Sequence, residues 1–125
     1  MKDVAAFFKV LSDPARVQIL WLLFNNPELC VCDIMGTLRI TQSKASRHLA
    51  TLRHAGLVTD RRDGAWSYYS LRQPGDVLEA EVIGILKSRL ALLPDAGSLL
   101  VALGRWLDVK AGRQSCCSLS GGGDE

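Results

Sequence analysis

Thr41-Gln42-Ser43-Lys44-Ala45-Ser46-Arg47-His48-Leu49-Ala50-Thr51-Leu52-Arg53-His54-Ala55-Gly56 is the stretch on which the fold turns. Thr41 suits the N-cap, where its hydroxyl can accept from the first turn of backbone N–H groups. Ala45, Leu49 and Leu52 recur at helical spacing and make an inner face, and Gly56 ends the helix in the C′ manner. The outward positions, Gln42, Ser43, Lys44, Ser46, Arg47 and Arg53, are polar or basic. A helix from Gln42 to about His54 therefore buries one stripe and offers hydrogen-bonding side chains on the other.

Outward from this helix, the flanking segments complete a motif. Upstream, a short helix runs from about Leu29 or Cys32 to Arg39, so that two helices meet at a tight turn, as a helix-turn-helix requires. Downstream, Val58 to Arg62 and Trp66 to Leu71 read as strands joined at Asp63-Gly64, a dipeptide that favours a type I′ hairpin turn. A hairpin directly after a recognition helix is a wing. The fold class is mainly α with a small β-hairpin, a winged helix-turn-helix.

Towards the N-terminus, Val4, Phe7, Phe8 and Leu11 mark one helical face. Asp13-Pro14 reads as an N-cap followed by proline at the first helical position. The next helix carries Val17, Leu20, Trp21 and Phe24 on one face and Ile19, Leu22 and Leu23 on another, which makes it the central buried helix before Asn25-Asn26-Pro27 stops it. Beyond the wing, Val77, Leu78, Val82, Ile85, Leu86 and Leu90 form one apolar stripe; after Pro94, Leu99, Leu100, Leu103, Trp106 and Leu107 form a second. One small domain has difficulty covering both stripes. The expectation is that the first helix and these C-terminal helices pack across a two-fold axis, the alternative being that the leucines cap the core of a single chain.

The length and the 48% hydrophobic and 22% charged content fit one globular domain, read as residues 1–110, followed by a flexible tail at 111–125. Apolar runs such as Ile19 to Phe24 fall far short of the roughly 20 residues that span a bilayer, and Met1-Lys2-Asp3-Val4 does not open a signal peptide. The expected location is cytoplasmic, with four cysteines held as thiols. Between Arg39 and Arg72 seven Lys/Arg face two acids, while the rest of the chain is mildly acidic. That asymmetry suits a nucleic-acid-binding segment on a neutral scaffold. No Gly-rich cofactor loop, Cys-x-x-Cys motif or nucleophile–base–acid set is visible, so an enzyme is not expected.

These motifs resemble the ArsR/SmtB family of winged-helix metalloregulatory repressors, of the arsenic-responsive type. The resemblance is carried by Leu11-Ser12-Asp13-Pro14-Ala15-Arg16, Glu28-Leu29-Cys30-Val31-Cys32-Asp33, Gln42 to Leu49, Leu52-Arg53-His54-Ala55-Gly56-Leu57-Val58, and the wing from Arg61-Arg62-Asp63-Gly64 to Tyr68-Tyr69. It implies a homodimer whose recognition helices lie about one DNA turn, roughly 34 Å, apart on a palindromic double-stranded operator. Gln42, Ser43, Ser46 and Arg47 are then the candidates for base edges and nearby phosphates, and Lys44, Arg61 and Arg62 for phosphates. His48 is expected to hydrogen-bond within the protein, Trp66 to pack, and one of Tyr68 and Tyr69 to be core while the other is exposed.

The resemblance also implies a soft-ion site at Cys30 and Cys32, with trivalent arsenic or antimony as inducer and no catalytic cofactor. Residues i and i+2 stand about 200° apart on a helix, so both thiolates face one ion only where the helix start unwinds or bends. Trivalent arsenic suits three sulfurs, whereas the arsenic-responsive pattern's third cysteine is replaced here by the neutral thioether of Met35. Cys116 and Cys117 are the candidates for the missing sulfur, from the same chain or across a dimer, or for a separate two-thiol site. A zinc site on the C-terminal helices is not expected, because the two histidines, His48 and His54, lie in the recognition helix. Cadmium or lead sensing and a thiol redox switch stand as alternatives.

Overall fold

The computed structural model describes residues 1–112; Cys116 and Cys117 lie outside the described residues. The elements are α1 (Lys2–Val10), α2 (Pro14–Phe24), β1 (Leu29–Cys30), α3 (Val31–Leu38), α4 (Gln42–His54), β2 (Val58–Asp63), β3 (Trp66–Leu71), α5 (Val77–Leu90) and α6 (Pro94–Ala111).

Local chemistry starts the helices where expected. The Asp13 carboxylate accepts from the N–H groups of Ala15 and Arg16, with Pro14 at the first helical position, and α2 then buries Ile19, Leu20, Trp21, Leu22 and Leu23. Thr41 Oγ1 accepts from Lys44 N at 3.2 Å, and α4 turns Ala45, Leu49 and Leu52 inward against α2. Arg39 takes the left-handed conformation (φ 58°) that closes α3 before the turn into α4.

The sheet differs from a bare hairpin. Its order is β1-β3-β2, all antiparallel, with Leu29 opposite Tyr69 and Cys30 opposite Tyr68. A two-residue strand is below what periodicity can reveal, so the segment read as helix start is strand up to Cys30. The wing turn is also shifted. Asp63 pairs with Trp66, leaving Gly64-Ala65 as the loop, and of these two Gly64 alone has positive φ (66°). That is the pattern of a type II′ turn, not the type I′ turn centred on Asp63-Gly64. Tyr68 and Tyr69 are both half-buried on opposite sheet faces: Tyr69 joins the main core, while Tyr68 packs beside Cys30 and Cys32. Neither is exposed, because Tyr69 packs on the main core and Trp106 of α6 joins the cluster that holds Tyr68.

The two C-terminal stripes have different fates. Leu99, Leu100, Leu103, Trp106 and Leu107 of α6 pack on the core of the same chain, against α2 and α3, and Trp21 Nε1 donates to Ala96 O at 3.0 Å. Within the chain this second stripe is covered in part: Leu103 is buried and the other four are half-buried. Among the described residues α5 has no fully buried side chain; Val82 and Leu86 touch the core while Val77 and Ile85 are 73% and 62% exposed. In α1 Phe7 is buried, whereas Val4 and Phe8 are exposed. Among the described residues no single helix is long and apolar enough to cross a membrane.

Candidate thiol site and nucleic-acid interface

Cys30 is the N-cap of α3, in an extended conformation, and Cys32 is the second residue of the helix. The 200° separation of an intact helix thus does not apply, since the helix begins between the two thiols. Both are buried, at 1% and 3% exposure, in a small cluster with Val31, Trp66, Tyr68 and Trp106. Trp66 is a packing residue here, as expected.

The cap has a specific chemistry. Cys30 N donates to Asp33 Oδ2 at 2.9 Å, and the Cys30 side chain faces the Asp33 N–H in return, completing a capping box. Serine or threonine normally fills this position because an oxygen accepts better than a sulfur.

Asp33 itself is 3% exposed and carries three partners. Besides Cys30 N, its Oδ1 accepts from Trp106 Nε1 and from Lys110 Nζ, each at 2.8 Å, and Lys110 Nζ lies 4.0 Å from Cys30 Sγ. The buried carboxylate is thus both hydrogen-bonded and ion-paired, as burial of a charge demands. These contacts bind the last turn of α6 to the thiol segment, a contribution that the sequence alone did not reveal. Among the described residues no group of three His, Cys, Asp or Glu side chains is placed to hold a metal ion.

On the nucleic-acid side, Gln42, Ser43, Lys44, Ser46 and Arg47 are all exposed on α4, and Arg61 and Arg62 are exposed on β2. A cleft of about 420 Å³ between α4 and the wing is lined by Gln42, Ser46, Arg53 and Arg62 together with Cys30, Cys32 and Trp66. The thiols and part of the expected DNA-reading surface therefore share one cleft. Arg61 is engaged differently: its Nε and Nη2 donate to the two Glu28 carboxylate oxygens at 2.8 and 2.9 Å, and its guanidinium sits 4.6 Å from the Tyr68 ring centroid. The hydrogen bond from Arg61 holds the Glu28 carboxyl below its ordinary range. His48 Nδ1 accepts from Arg16 Nη1 at 3.4 Å, with Arg16 Nε donating to Val10 O at 2.7 Å. That histidine ties α4 to α1 and α2 rather than facing outward.

Comparison with known proteins agrees with this architecture. The family model of the bacterial regulatory proteins of the arsR family matches residues 13–60. The chain is 50% identical over 64 residues to the Arsenical resistance operon repressor of Escherichia coli, covering 51% of this chain and 55% of that one. It is 38% identical over 86 residues to the repressor of the same name from Bacillus subtilis, covering 69% and 76%. It is 44% identical over 69 residues to the Cadmium resistance transcriptional regulatory protein CadC homolog of Staphylococcus aureus, covering 55% and 57%. The chain thus spans about half the length of the Escherichia coli and Staphylococcus aureus relatives and about three quarters of the Bacillus subtilis one. Among solved structures, reduced HlyU from Vibrio cholerae superposes with a TM-score of 0.60 at 32% identity, covering 74% of this chain and 92% of that one. The homodimeric winged helix-turn-helix DNA-binding domain Mb0332 of Mycobacterium bovis gives 0.58 at 30% identity, covering 70% and 77%. The fold is a winged helix-turn-helix shared with transcriptional regulators, and the chain belongs to the arsR family of bacterial regulatory proteins.

Proposed function

We propose that the chain is a cytoplasmic, homodimeric transcriptional repressor that releases double-stranded operator DNA when Cys30 and Cys32 capture trivalent arsenic or antimony. The observation that carries this reading is the shared cleft, whose lining includes the two buried thiols as well as Gln42, Ser46 and Arg62. An ion that draws Cys30 and Cys32 together acts on the cap of α3, the helix that leads through Arg39 into α4. The arsenical-resistance names of the Escherichia coli and Bacillus subtilis relatives support the inducer class. In the DNA-bound state Gln42, Ser43, Ser46 and Arg47 reach base edges and nearby phosphates, and Lys44 and Arg62 hold phosphates. The exposed Val4, Phe8, Val77 and Ile85 of α1 and α5 supply the dimer face, and a homodimeric solved relative supports it.

The third sulfur in this proposal comes from Cys116 or Cys117. Lys110, on the last turn of α6, places its Nζ 4.0 Å from Cys30 Sγ, and the four steps from Gly112 to Cys116 can span roughly 14 Å when extended. Anisotropy titrations of operator DNA under reducing conditions test the whole reading. Arsenite is expected to weaken binding by about 5- to 150-fold, with the response lost in Cys30→Ser and Cys32→Ser and reduced in Cys116→Ser/Cys117→Ser. Unchanged binding in arsenite and antimonite overturns it. A second reading, cadmium as inducer, is favoured by the cadmium-resistance name of the Staphylococcus aureus relative and by four available thiols; release by Cd(II) but not arsenite selects it.

A further inference from the structure

The two neighbouring arginines of the wing serve different faces of the sheet. Arg61 pairs with Tyr68 and Tyr68 with Cys30, so these three side chains leave one face. Arg62, one residue on, leaves the other and is part of the cleft lining, with Gln42, Ser46 and the two thiols. Arg61 is absent from that cleft. Its guanidinium instead lies over the Tyr68 ring and meets both oxygens of Glu28, which stands two residues before Cys30. The contact thus reaches from β2 across β3 to the segment that opens the thiol site, although β1 and β2 are not neighbours in the sheet. A planar fork on a carboxylate fixes orientation as well as distance.

We propose that Glu28 and Arg61 are positioning residues that couple the Cys30/Cys32 site to the wing, and that Arg61 is not a DNA contact. The inference rests on the repressor reading above. Ion capture moves Cys30, and Glu28 moves with it because only Leu29 intervenes. The bidentate pair then carries that displacement to Arg61, across Tyr68, whose ring packs beside Cys30 itself. Arg62 and the α4 residues hold the DNA; Glu28 and Arg61 determine how far the wing follows the thiols. Since an exposed ion pair contributes little to stability, its removal leaves the fold in place and exposes the coupling to measurement.

The test measures the ratio of operator Kd with and without saturating arsenite, under reducing conditions, in the unmodified full chain, Glu28→Gln, Arg61→Gln and the double variant. Arsenite-free binding is followed across a salt series in parallel. The ratio is expected to fall by about two- to fivefold in each single variant and no further in the double, as for one shared interaction. The salt slope of Arg61→Gln is expected to match that of the unmodified chain. An unchanged ratio in the single variants overturns the coupling, as do additive losses. A salt slope lowered by about one per protomer in Arg61→Gln overturns it too, by making Arg61 a phosphate contact. Absence of arsenite release in the unmodified chain overturns the repressor reading together with this one, whereas normal release there with unaltered variants overturns this one alone.

Discussion

Lys110, on the last turn of α6, donates to Asp33 Oδ1 at 2.8 Å and so joins that helix to the partner of Cys30 in the α3 capping box, 77 positions earlier. Lys110→Met leaves a carboxylate that is 3% exposed with hydrogen bonds but no cation. The expected loss is about 1.5–3 kcal/mol, the range for hydrogen bonds to charged groups, read as a lower urea midpoint at unchanged m-value. A loss within about 0.5 kcal/mol would show that Trp106 and the Cys30 N–H satisfy Asp33 alone.

A Cβ on Gly36 would collide with the indole ring of Trp106, which lies directly on the α3 backbone. Gly36→Ala is therefore expected to destabilise by about 1–3 kcal/mol, despite alanine's better helix propensity. Adding Trp106→Ala should make the double variant more stable than the sum of the two single losses predicts. Thermal unfolding of the three variants gives the comparison.

Cys30→Ser should hold the fold and the DNA affinity while abolishing the ion response. Serine caps helices at least as well as cysteine, so stability is expected to stay level or rise by up to about 1 kcal/mol. Circular dichroism on heating measures the first property and operator anisotropy with arsenite the second. A strongly destabilised Cys30→Ser would mean that the sulfur is there for packing.

Arg62 lines the cleft between wing and α4 with Gln42. Arg62→Ala is expected to weaken operator and unrelated DNA alike and to lower the salt slope by about one per protomer. Gln42→Ala is expected to cost about 1–3 kcal/mol on the operator and much less on unrelated DNA. Equal losses on both sequences would move Gln42 from base to phosphate recognition.

The α2 cap sets an acid limit. Burial pushes the Asp13 carboxyl up, but N–H donations from Arg16 and Ala15 outweigh it and hold the group below its ordinary value. A carboxyl with a lowered folded-state pKa stabilises fully above its unfolded pKa, and that stabilisation fades as pH falls through the folded value. Asp13→Asn should therefore flatten the acid limb of stability against pH, while Asp13→Ala should lose about 0.5–2 kcal/mol at neutral pH. Parallel acid limbs in the Asn variant and the unmodified chain would remove Asp13 from the titration.

The signals that were legible in the chain are local ones. Asp13-Pro14 and Thr41 place helix starts because a side-chain oxygen reaches N–H groups two or three residues away, and the spacing of Ala45, Leu49 and Leu52 fixes which side of α4 faces in. Cys30 and Cys32 were legible as a thiol pair, and the basic stretch from Arg39 to Arg72 that follows them as a nucleic-acid footprint. Their geometry was not. That Cys30 ends a strand and caps α3 depends on pairing with Tyr68, 38 residues on, and no periodicity exists in a strand of two residues. The same limit hid Glu28 beneath Arg61, placed the wing turn at Gly64-Ala65, and seated α6 on α3 through Trp106 and Lys110. Sequence by itself determined where α2 and α4 start and which face of α4 turns inward, because capping and periodic burial act over a few residues. Only the tertiary structure decided what surrounds the two thiols, because the indole of Trp106 and the ammonium of Lys110 come from far along the chain and meet the neighbouring Asp33 carboxylate only once the core has closed.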